Sequence, residues 1–412
     1  IDLQNRFLGE VEESKRDEFF EVLREFSFAS SADYRKNQLK RDLIEQNLKG
    51  SFEDSYFGIN QVKEKLGINE VLLIVSKIEF QGGNNDLYMG YLIQKNKIEL
   101  IEFENIDFLK VYKYWLSKIE KDEVENVTYR YIAKPVIDKL SDQVNTINII
   151  AEGIFKNINF ETILDLSENT LDQKFTFNNF NGLNNIFNIS DDIEIKDAML
   201  FGNPFYDSLG KNSLDFELEQ LPNTQIEINQ INNILIQNGI KTIKLDSLNA
   251  KEESFYSYKK KDLIHIATHG FSTKSSSEEI KYSFGFYGAG ISNSTEKSIN
   301  KNDGIIYSEE IETTNFTDTN LVVLSACESA LGETNLVGGF NLSNSFHKAG
   351  VNNVISTLWE IDDEKTMQFM NIFYKKLMIL KDPKESLISA KEDFKKVHPQ
   401  RKYWGAFIHS KL

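Results

Sequence analysis

The chain has 412 residues, a formal net charge of −16 and a mean hydropathy of −0.39, and it contains a single cysteine. The acidic charge argues against a nucleic-acid-binding surface, which is normally basic. One cysteine excludes an internal disulfide and favours a reducing, cytoplasmic location. No apolar run approaches the roughly 18 residues that predict a transmembrane helix.

The sequence of residues 1–66 predicts helices. Apolar side chains at Phe19, Phe20, Leu23 and Phe26 form one face of the first helix, and a last helix is predicted at 61–66. We interpret this region as a helical lead-in that packs on the next domain, with the end of a repeat array as the alternative. Because the sequence begins with Ile1 rather than methionine, we expect a fragment of a longer protein or a chain that lacks some residues.

The sequence of residues 67–194 predicts an α/β unit. Strands at 71–75, 87–94 and 98–103 form a meander around a turn at 81–86, and helices follow at 106–119 and 133–144. This half contains no cysteine and no histidine, so it cannot supply a thiol–imidazole pair.

Residues 195–412 alternate short apolar strands with helices. Strands are predicted at 198–202, 241–245, 263–268, 321–326, 353–358 and 404–408. Helices are predicted at 221–238, where Gly239 serves as a C-cap, and at 338–348, 364–379 and 383–397. Continuous apolar runs are typical of parallel strands buried on both faces. The pattern therefore predicts an α/β fold with a mostly parallel sheet flanked by helices.

Two of these strands end in residues that can carry chemistry. One leads into His269 and Gly270, and the other leads into Cys327, 58 positions after the histidine. Parallel strands bring their carboxyl ends to the same edge of a sheet, where open α/β sheets keep their sites. A lone cysteine is more often a buried small hydrophobe. The pairing with a histidine is what favours a cysteine-nucleophile enzyme.

Around these residues the chain resembles the CHAT family of caspase-like domains, which belong to the same protease clan as caspases and separase. Four segments carry the resemblance in the family's order: HIATHG at 265–270, LSACESALG at 324–332, GGFNLSNSFHKAG running into VISTLWEIDD between 338 and 363, and HPQRKYWGAF at 398–407. Weaker matches upstream include Asn159 and Glu161. The resemblance implies a caspase-like fold, with residues 195–412 as the active half and residues 67–194 as a degenerate protease-like half.

The resemblance implies a dyad in which Cys327 is the nucleophile and His269 is the base. We expect the backbone N–H groups of Gly270 and Cys327 to form the oxyanion hole. His265 lies inside an apolar run and is interpreted as a buried structural residue. A zinc site would need more ligands than these histidines and Cys327 supply, so we expect no metal, and we expect no cofactor.

Substrate selection is expected to involve four residues: Trp359, Asp362, Asp363 and Glu328. In relatives, the strand after the nucleophile strand lines the pocket for the residue before the scissile bond, and carboxylates there would favour arginine or lysine. The alternative is that Asp362 or Asp363 caps the helix that follows. Ser325, two residues before the cysteine, is not an acid as in metacaspase-type sites, which weakens the case for a basic preference.

The expected function is that of a cysteine endopeptidase that cleaves protein substrates. The resemblance implies latency until a protein partner activates the enzyme, in a bacterial defence or regulated-death pathway. The alternative is a non-catalytic caspase-like interaction module; a nucleotide-binding protein lacks support because no glycine-rich phosphate motif follows a strand. We expect no direct contact with nucleic acid or membrane. The polar segments 271–304 and 328–337 are expected to be mobile until substrate or activator binds.

Overall fold

A computed structural model of the chain describes residues 59–78, 87–182, 192–206, 218–257, 260–274, 280–285, 304–325 and 338–412. Most of the predicted helical lead-in lies outside these ranges. The described chain begins with helix α1 (Ile59–Lys65), which overlaps the last helix that the sequence predicts there. Val62 and Leu66 of this region pack on Leu72 and Ile93 of the sheet.

Eleven strands form one large sheet. In chain order they are β1 (Glu70–Ile78), β2 (Leu87–Ile93), β3 (Ile98–Glu102), β4 (Thr146–Ala151), β5 (Thr176–Phe180), β6 (Asp197–Pro204), β7 (Lys241–Ser247), β8 (Leu263–Ala267), β12 (Leu321–Leu324), β13 (Asn353–Thr357) and β14 (Phe407–Lys411). Their order across the sheet is β3-β2-β1-β4-β5-β14-β13-β12-β8-β6-β7. Only the β1/β2, β2/β3 and β13/β14 neighbours are antiparallel. The prediction of a mostly parallel sheet is therefore confirmed.

A second, three-stranded sheet follows the histidine strand. It consists of β9 (Gly270–Lys274), β10 (Ile280–Gly285) and β11 (Ile305–Tyr307), in the order β11-β10-β9. β10 and all of β9 except Gly270 lie in the segment 271–304 that the sequence predicts to be polar and mobile, and β11 follows that segment. Residues 275–279, 286–303 and 328–337 lie outside the described residues.

Helices cover both faces of the large sheet. They are α2 (Phe108–Glu120), α3 (Lys134–Ile137), α4 (Pro222–Gln237), α5 (Glu252–Ser257), α6 (Ser308–Glu312), α7 (Gly338–Lys348), α8 (Asp363–Leu380), α9 (Pro383–Lys395) and α10 (Arg401–Trp404). Alternate residues of β8 enter different cores: Leu263 joins the core under α2, α4, α8 and α9, and Ile264 joins the core under α5, α6 and α7. Among the described helices, none has the length and apolar composition required to span a bilayer.

Local sequence signals set the helix ends. Pro222 begins α4, and Gly239 lies just beyond its end at φ +80°, as expected of a C-cap. The predicted strand at 404–408 starts too early, because Trp404 belongs to α10 and β14 begins at Phe407. The indole of Trp404 donates a hydrogen bond to the carbonyl of Pro399 at 3.2 Å. This apolar residue therefore belongs to the short helix before the strand rather than to the strand itself.

The sheet is continuous across the predicted boundary at residue 195. β5 pairs in parallel with β14, so the last strand of the chain lies between the predicted halves. The division into residues 67–194 and 195–412, and the protease-like origin of the first, stay predictions.

Hydrogen bonds from side chains to backbone carbonyls hold this junction together. Asn159 Nδ2 donates to the carbonyl of Gly405 at 2.7 Å, and Arg401 Nη1 donates to the carbonyl of Thr162 at 3.1 Å. A Cβ at Gly405 would lie 2.2 Å from Thr162 Cγ2 and 2.7 Å from the carbonyl oxygen of Arg401. Only glycine therefore fits at position 405.

His265 is fully buried in the core beneath α4 and α8. Its Nε2 lies 2.9 Å from Glu227 Oε1, which is an ion-pair distance, although the two atoms are not aligned for a hydrogen bond. Its Nδ1 lies 3.1 Å from the hydroxyl of Tyr374. Burial and the nearby carboxylate raise the pKa of Tyr374 well above its ordinary value, so the hydroxyl keeps its proton and donates a hydrogen bond to Nδ1.

We expect His265→Ala to lower the free energy of unfolding by about 3 kcal/mol, because Glu227 would be left buried without its partner. The double variant His265→Leu, Glu227→Leu should recover most of the loss, since no charge remains. Urea unfolding followed by circular dichroism measures both. Unchanged stability of His265→Ala would show that the pair does not support the core.

We expect Gly405→Ala to cost about 2 kcal/mol through overpacking against Thr162. The double variant Gly405→Ala, Thr162→Ser removes the clashing methyl and should recover part of this cost. Gly67→Ala is the matched control, because its added Cβ would meet only flexible side chains, the closest at 3.0 Å. Equal urea midpoints for the two single variants would contradict this account of the junction.

Candidate active site

The carboxyl ends of β8 and β12 lie side by side. Leu324 is in register with Ile266, and the N–H of Ser325 donates to the carbonyl of Ile266 at 2.8 Å. His269 follows β8 by two residues, and Ser325 follows β12 directly. Cys327 and Glu328, predicted as nucleophile and pocket residue, lie outside the described residues.

The imidazole of His269 has a defined partner. Its Nε2 lies 2.7 Å from the carbonyl oxygen of Glu219. A carbonyl oxygen can only accept, so Nε2 carries the hydrogen, and in the neutral ring Nδ1 is left as the acceptor. No described residue is bonded to Nδ1. The ring is therefore oriented so that Nδ1 can take a proton from another group.

Tyr206 supports the same histidine from the side. Its hydroxyl accepts the backbone N–H of His269 at 3.3 Å, and the centres of the two rings are 5.3 Å apart. Burial raises the pKa of Tyr206, so the phenol stays neutral. Burial also lowers the pKa of His269 below its ordinary value, and the carbonyl of Glu219 opposes this effect. The imidazole is thus favoured in its neutral, proton-accepting form.

Sequence reasoning missed both supporting residues. Glu219 acts through its backbone carbonyl, which any residue type can supply. Tyr206 lies two residues beyond β6, and its position at the carboxyl end of a strand is the only signal that could have drawn attention to it.

A pocket of about 640 Å³ opens beside His269. Its lining includes three of the predicted substrate residues, Trp359, Asp362 and Asp363, together with Thr268, Ser325 and Glu360. Glu120, at the end of α2, reaches the pocket from the first half of the chain. Of the predicted site residues that the structure describes, Trp359, Asp362 and Asp363 therefore lie in the same pocket as His269. Gly270 begins β9 and is not among the lining residues.

Trp359 forms a fixed wall of the pocket. Its indole nitrogen donates to the carbonyl of Lys402 at 2.8 Å, and its ring meets Trp115 of α2 edge-to-face at 5.5 Å. The side chain is 6% exposed. Contacts from both halves of the chain therefore set its position.

The two aspartates have structural partners as well as pocket positions. Asp362 is the N-cap of α8 and accepts the N–H of Lys365 at 3.2 Å, as the alternative interpretation predicts. Asp363 accepts the N–H of Asn223 at 3.2 Å. Burial, and then the charge of Glu227, raise the pKa of Asp363. Both carboxyl groups are therefore fixed in place where they border the cavity.

Metal ligands do not cluster in the part of the chain that the structure describes: no group of three or more His, Cys, Asp or Glu side chains there is arranged to hold an ion. Cys327 lies outside that part.

Solved structures with similarity to the chain include cysteine proteinases. The Arg-specific cysteine proteinase gingipain R is 12% identical, with a TM-score of 0.40, 70% of this chain covered and 67% of that one. The separase–securin complex of Saccharomyces cerevisiae is 10% identical, with a TM-score of 0.40, and the match covers 76% of this chain. Only 20% of that yeast chain is covered.

A comparison with curated proteins gives no match. The model of the CHAT domain, in contrast, matches residues 122–411, which is well over half of the sequence. This range contains the histidine and the pocket described above, apart from Glu120. The chain belongs to the CHAT domain family.

Proposed function

We propose that the protein is a cysteine endopeptidase in which Cys327 attacks the peptide bond and His269 transfers the proton. The observation that carries the proposal is the imidazole itself. It is anchored through Nε2 to the Glu219 carbonyl, at the sheet edge where β12 ends shortly before the cysteine. Membership of the CHAT family and the adjoining pocket support the same function.

In the proposed reaction, Nδ1 of His269 accepts the thiol proton of Cys327. The thiolate then forms a bond to the carbonyl carbon of the scissile peptide. The backbone N–H groups of Gly270 and Cys327 stabilise the resulting oxyanion. As the C–N bond breaks, the imidazolium gives its proton to the departing amine. Water, deprotonated by His269, hydrolyses the thioester, which releases the carboxylic acid and restores the thiol.

The described environment of His269 suits both halves of this cycle. Burial favours the neutral ring that must accept the first proton. The Glu219 carbonyl stabilises the ring once it is protonated, because Nε2–H donates more strongly from an imidazolium. Because the orienting carbonyl of Glu219 is neutral, it does not stabilise the imidazolium so strongly that the ring could not release its proton.

Trp359, Asp362 and Asp363, with Glu328 beyond the described ranges, are proposed to contact the substrate. The proposal also includes control by a protein partner and a role in bacterial defence or regulated death. That part rests on family membership alone. A lone thiol nucleophile must also stay reduced, which fits a cytoplasmic setting.

We expect Cys327→Ala to lower peptide cleavage about 1,000-fold or more and His269→Ala about 100-fold or more, with folding unchanged. Labelling of new amino termini in a proteome-derived peptide library, followed by mass spectrometry, measures cleavage. His398→Ala is the control, since His398 bonds Gln368 and is not part of the pocket lining. Cleavage that survives in Cys327→Ala would refute the nucleophile assignment.

Alkylation of the single cysteine gives a test that needs no substrate. We measure the rate of reaction of Cys327 with iodoacetamide as a function of pH. The pH at which this rate is half its maximum should lie well below the pKa of about 8.5 of a free thiol, because the histidine takes the thiol proton. His269→Ala should raise the pH of half-maximal alkylation rate, and His398→Ala should not. A profile like that of free cysteine in all three proteins, with no cleavage by the wild type, would favour a non-catalytic interaction module.

A further inference from the structure

The hydroxyl of Ser325 is buried without a hydrogen-bond partner among the described residues. Ser325 is 5% exposed, and the residue lines the pocket beside His269. A buried hydroxyl without a partner carries a desolvation cost, and such a group at a cavity wall indicates a ligand that would satisfy it. The pocket thus has a buried polar group in its wall that makes no hydrogen bond with the described protein.

The lining of the pocket is strongly acidic. It contains four carboxyl side chains and one ammonium group: Glu120, Glu360, Asp362, Asp363 and Lys402. Lys402 is directed onto the ring of Tyr403, with its Nζ 4.9 Å from the ring centre. Clefts lined by one sign of charge concentrate ligands of the opposite sign. The excess of carboxyl groups therefore favours a cation.

The four carboxyl groups differ in what they bond within the protein. Asp362 and Asp363 accept backbone N–H groups and hold α8 and α4 in place. Glu120 and Glu360 are exposed, and neither side chain makes a hydrogen bond or ion pair with the described residues. Glu120 comes from α2 and Glu360 from the chain after β13, so the two carboxylates approach the pocket from different halves.

The remaining walls suit the aliphatic part of a long side chain. Trp359 and Ile361 are both 6% exposed, and Leu221 contributes a further apolar surface. Lysine and arginine carry three or four methylene groups that bury well against such walls while the charged head stays in a polar setting.

Given the endopeptidase function on which this inference rests, we propose that the pocket binds an arginine or lysine side chain of the substrate. The Ser325 hydroxyl accepts a hydrogen bond from the cationic head, and Glu120 and Glu360 balance its charge. The first half of the chain thereby takes part in substrate selection, although it contains neither candidate catalytic residue.

Peptide binding to the Cys327→Ala protein tests the proposal without catalysis. The probes are fluorescein-labelled alanine hexapeptides with one variable residue: arginine, lysine, citrulline or glutamate. Citrulline has nearly the shape of arginine and no charge. By fluorescence anisotropy, we expect arginine or lysine to bind about 10-fold tighter than citrulline, and glutamate to bind weakest.

Variants in the same background separate the contributions. Glu120→Gln and Glu360→Gln should each lower the ratio of arginine to citrulline affinity about 3-fold or more. Glu104→Gln is the matched control, an exposed carboxylate outside the pocket, and should leave the ratio unchanged. Ser325→Ala should weaken the arginine peptide about 5-fold, the loss of one hydrogen bond.

Any of four results would overturn the proposal. They are equal affinity for the arginine and citrulline peptides, tightest binding of the glutamate peptide, no binding of any peptide, and an affinity ratio that neither glutamate variant changes. Failure of the endopeptidase function gives a different result. In that case the wild-type protein cleaves no peptide, while the Cys327→Ala protein still prefers the cationic probes.

Discussion

The parallel pairing of β8 with β12 is the constraint on which the site depends. It places Leu324 beside Ile266, so the chain leaves both strands at one edge with His269 and Ser325 facing the same pocket. Both strands are buried along their whole length. A slip of one residue would exchange the side chains that the strand presents to the two cores and would take His265 away from Glu227, so the packing of the two cores favours this register and with it the spacing of the site.

Two histidines four residues apart show how environment divides roles. His265 has a carboxylate near Nε2 and a phenol at Nδ1, so both nitrogens face fixed groups inside the core. His269 has a carbonyl at Nε2 and no described partner at Nδ1. His265 lies within the strand, whereas His269 lies beyond its end, where it lines the pocket. Position relative to the sheet edge, rather than residue type, separates the histidine that is enclosed in the core from the one that borders the pocket.

The sequence predicted what strands and local motifs encode. Continuous apolar runs identified the parallel strands, and Gly239 marked a helix end, because these signals depend on near neighbours in the chain. A cap at Asp362 or Asp363 was one of two interpretations of that pair, and the structure shows Asp362 as the cap. Glu219 and Tyr206 could not be predicted as supports of His269: one acts through a backbone carbonyl, and the two lie 50 and 63 residues before it. The predicted helix at 106–119 was nearly correct. The observed helix α2 ends one residue later, at Glu120, and the packing of α2 against Trp359 that brings Glu120 to the pocket is a tertiary contact that the local sequence does not encode.

The junction at β14 explains why a half without cysteine or histidine is still part of the site. Asn159 and Glu161, which stood out in the sequence only as weak family matches, bond Gly405 and Lys391 across this junction. Gly405 and Lys402 lie in the short segment that leads into β14, and the carbonyl of Lys402 holds Trp359. The contacts that join the halves therefore lie next to those that hold Trp359, one wall of the cavity beside His269.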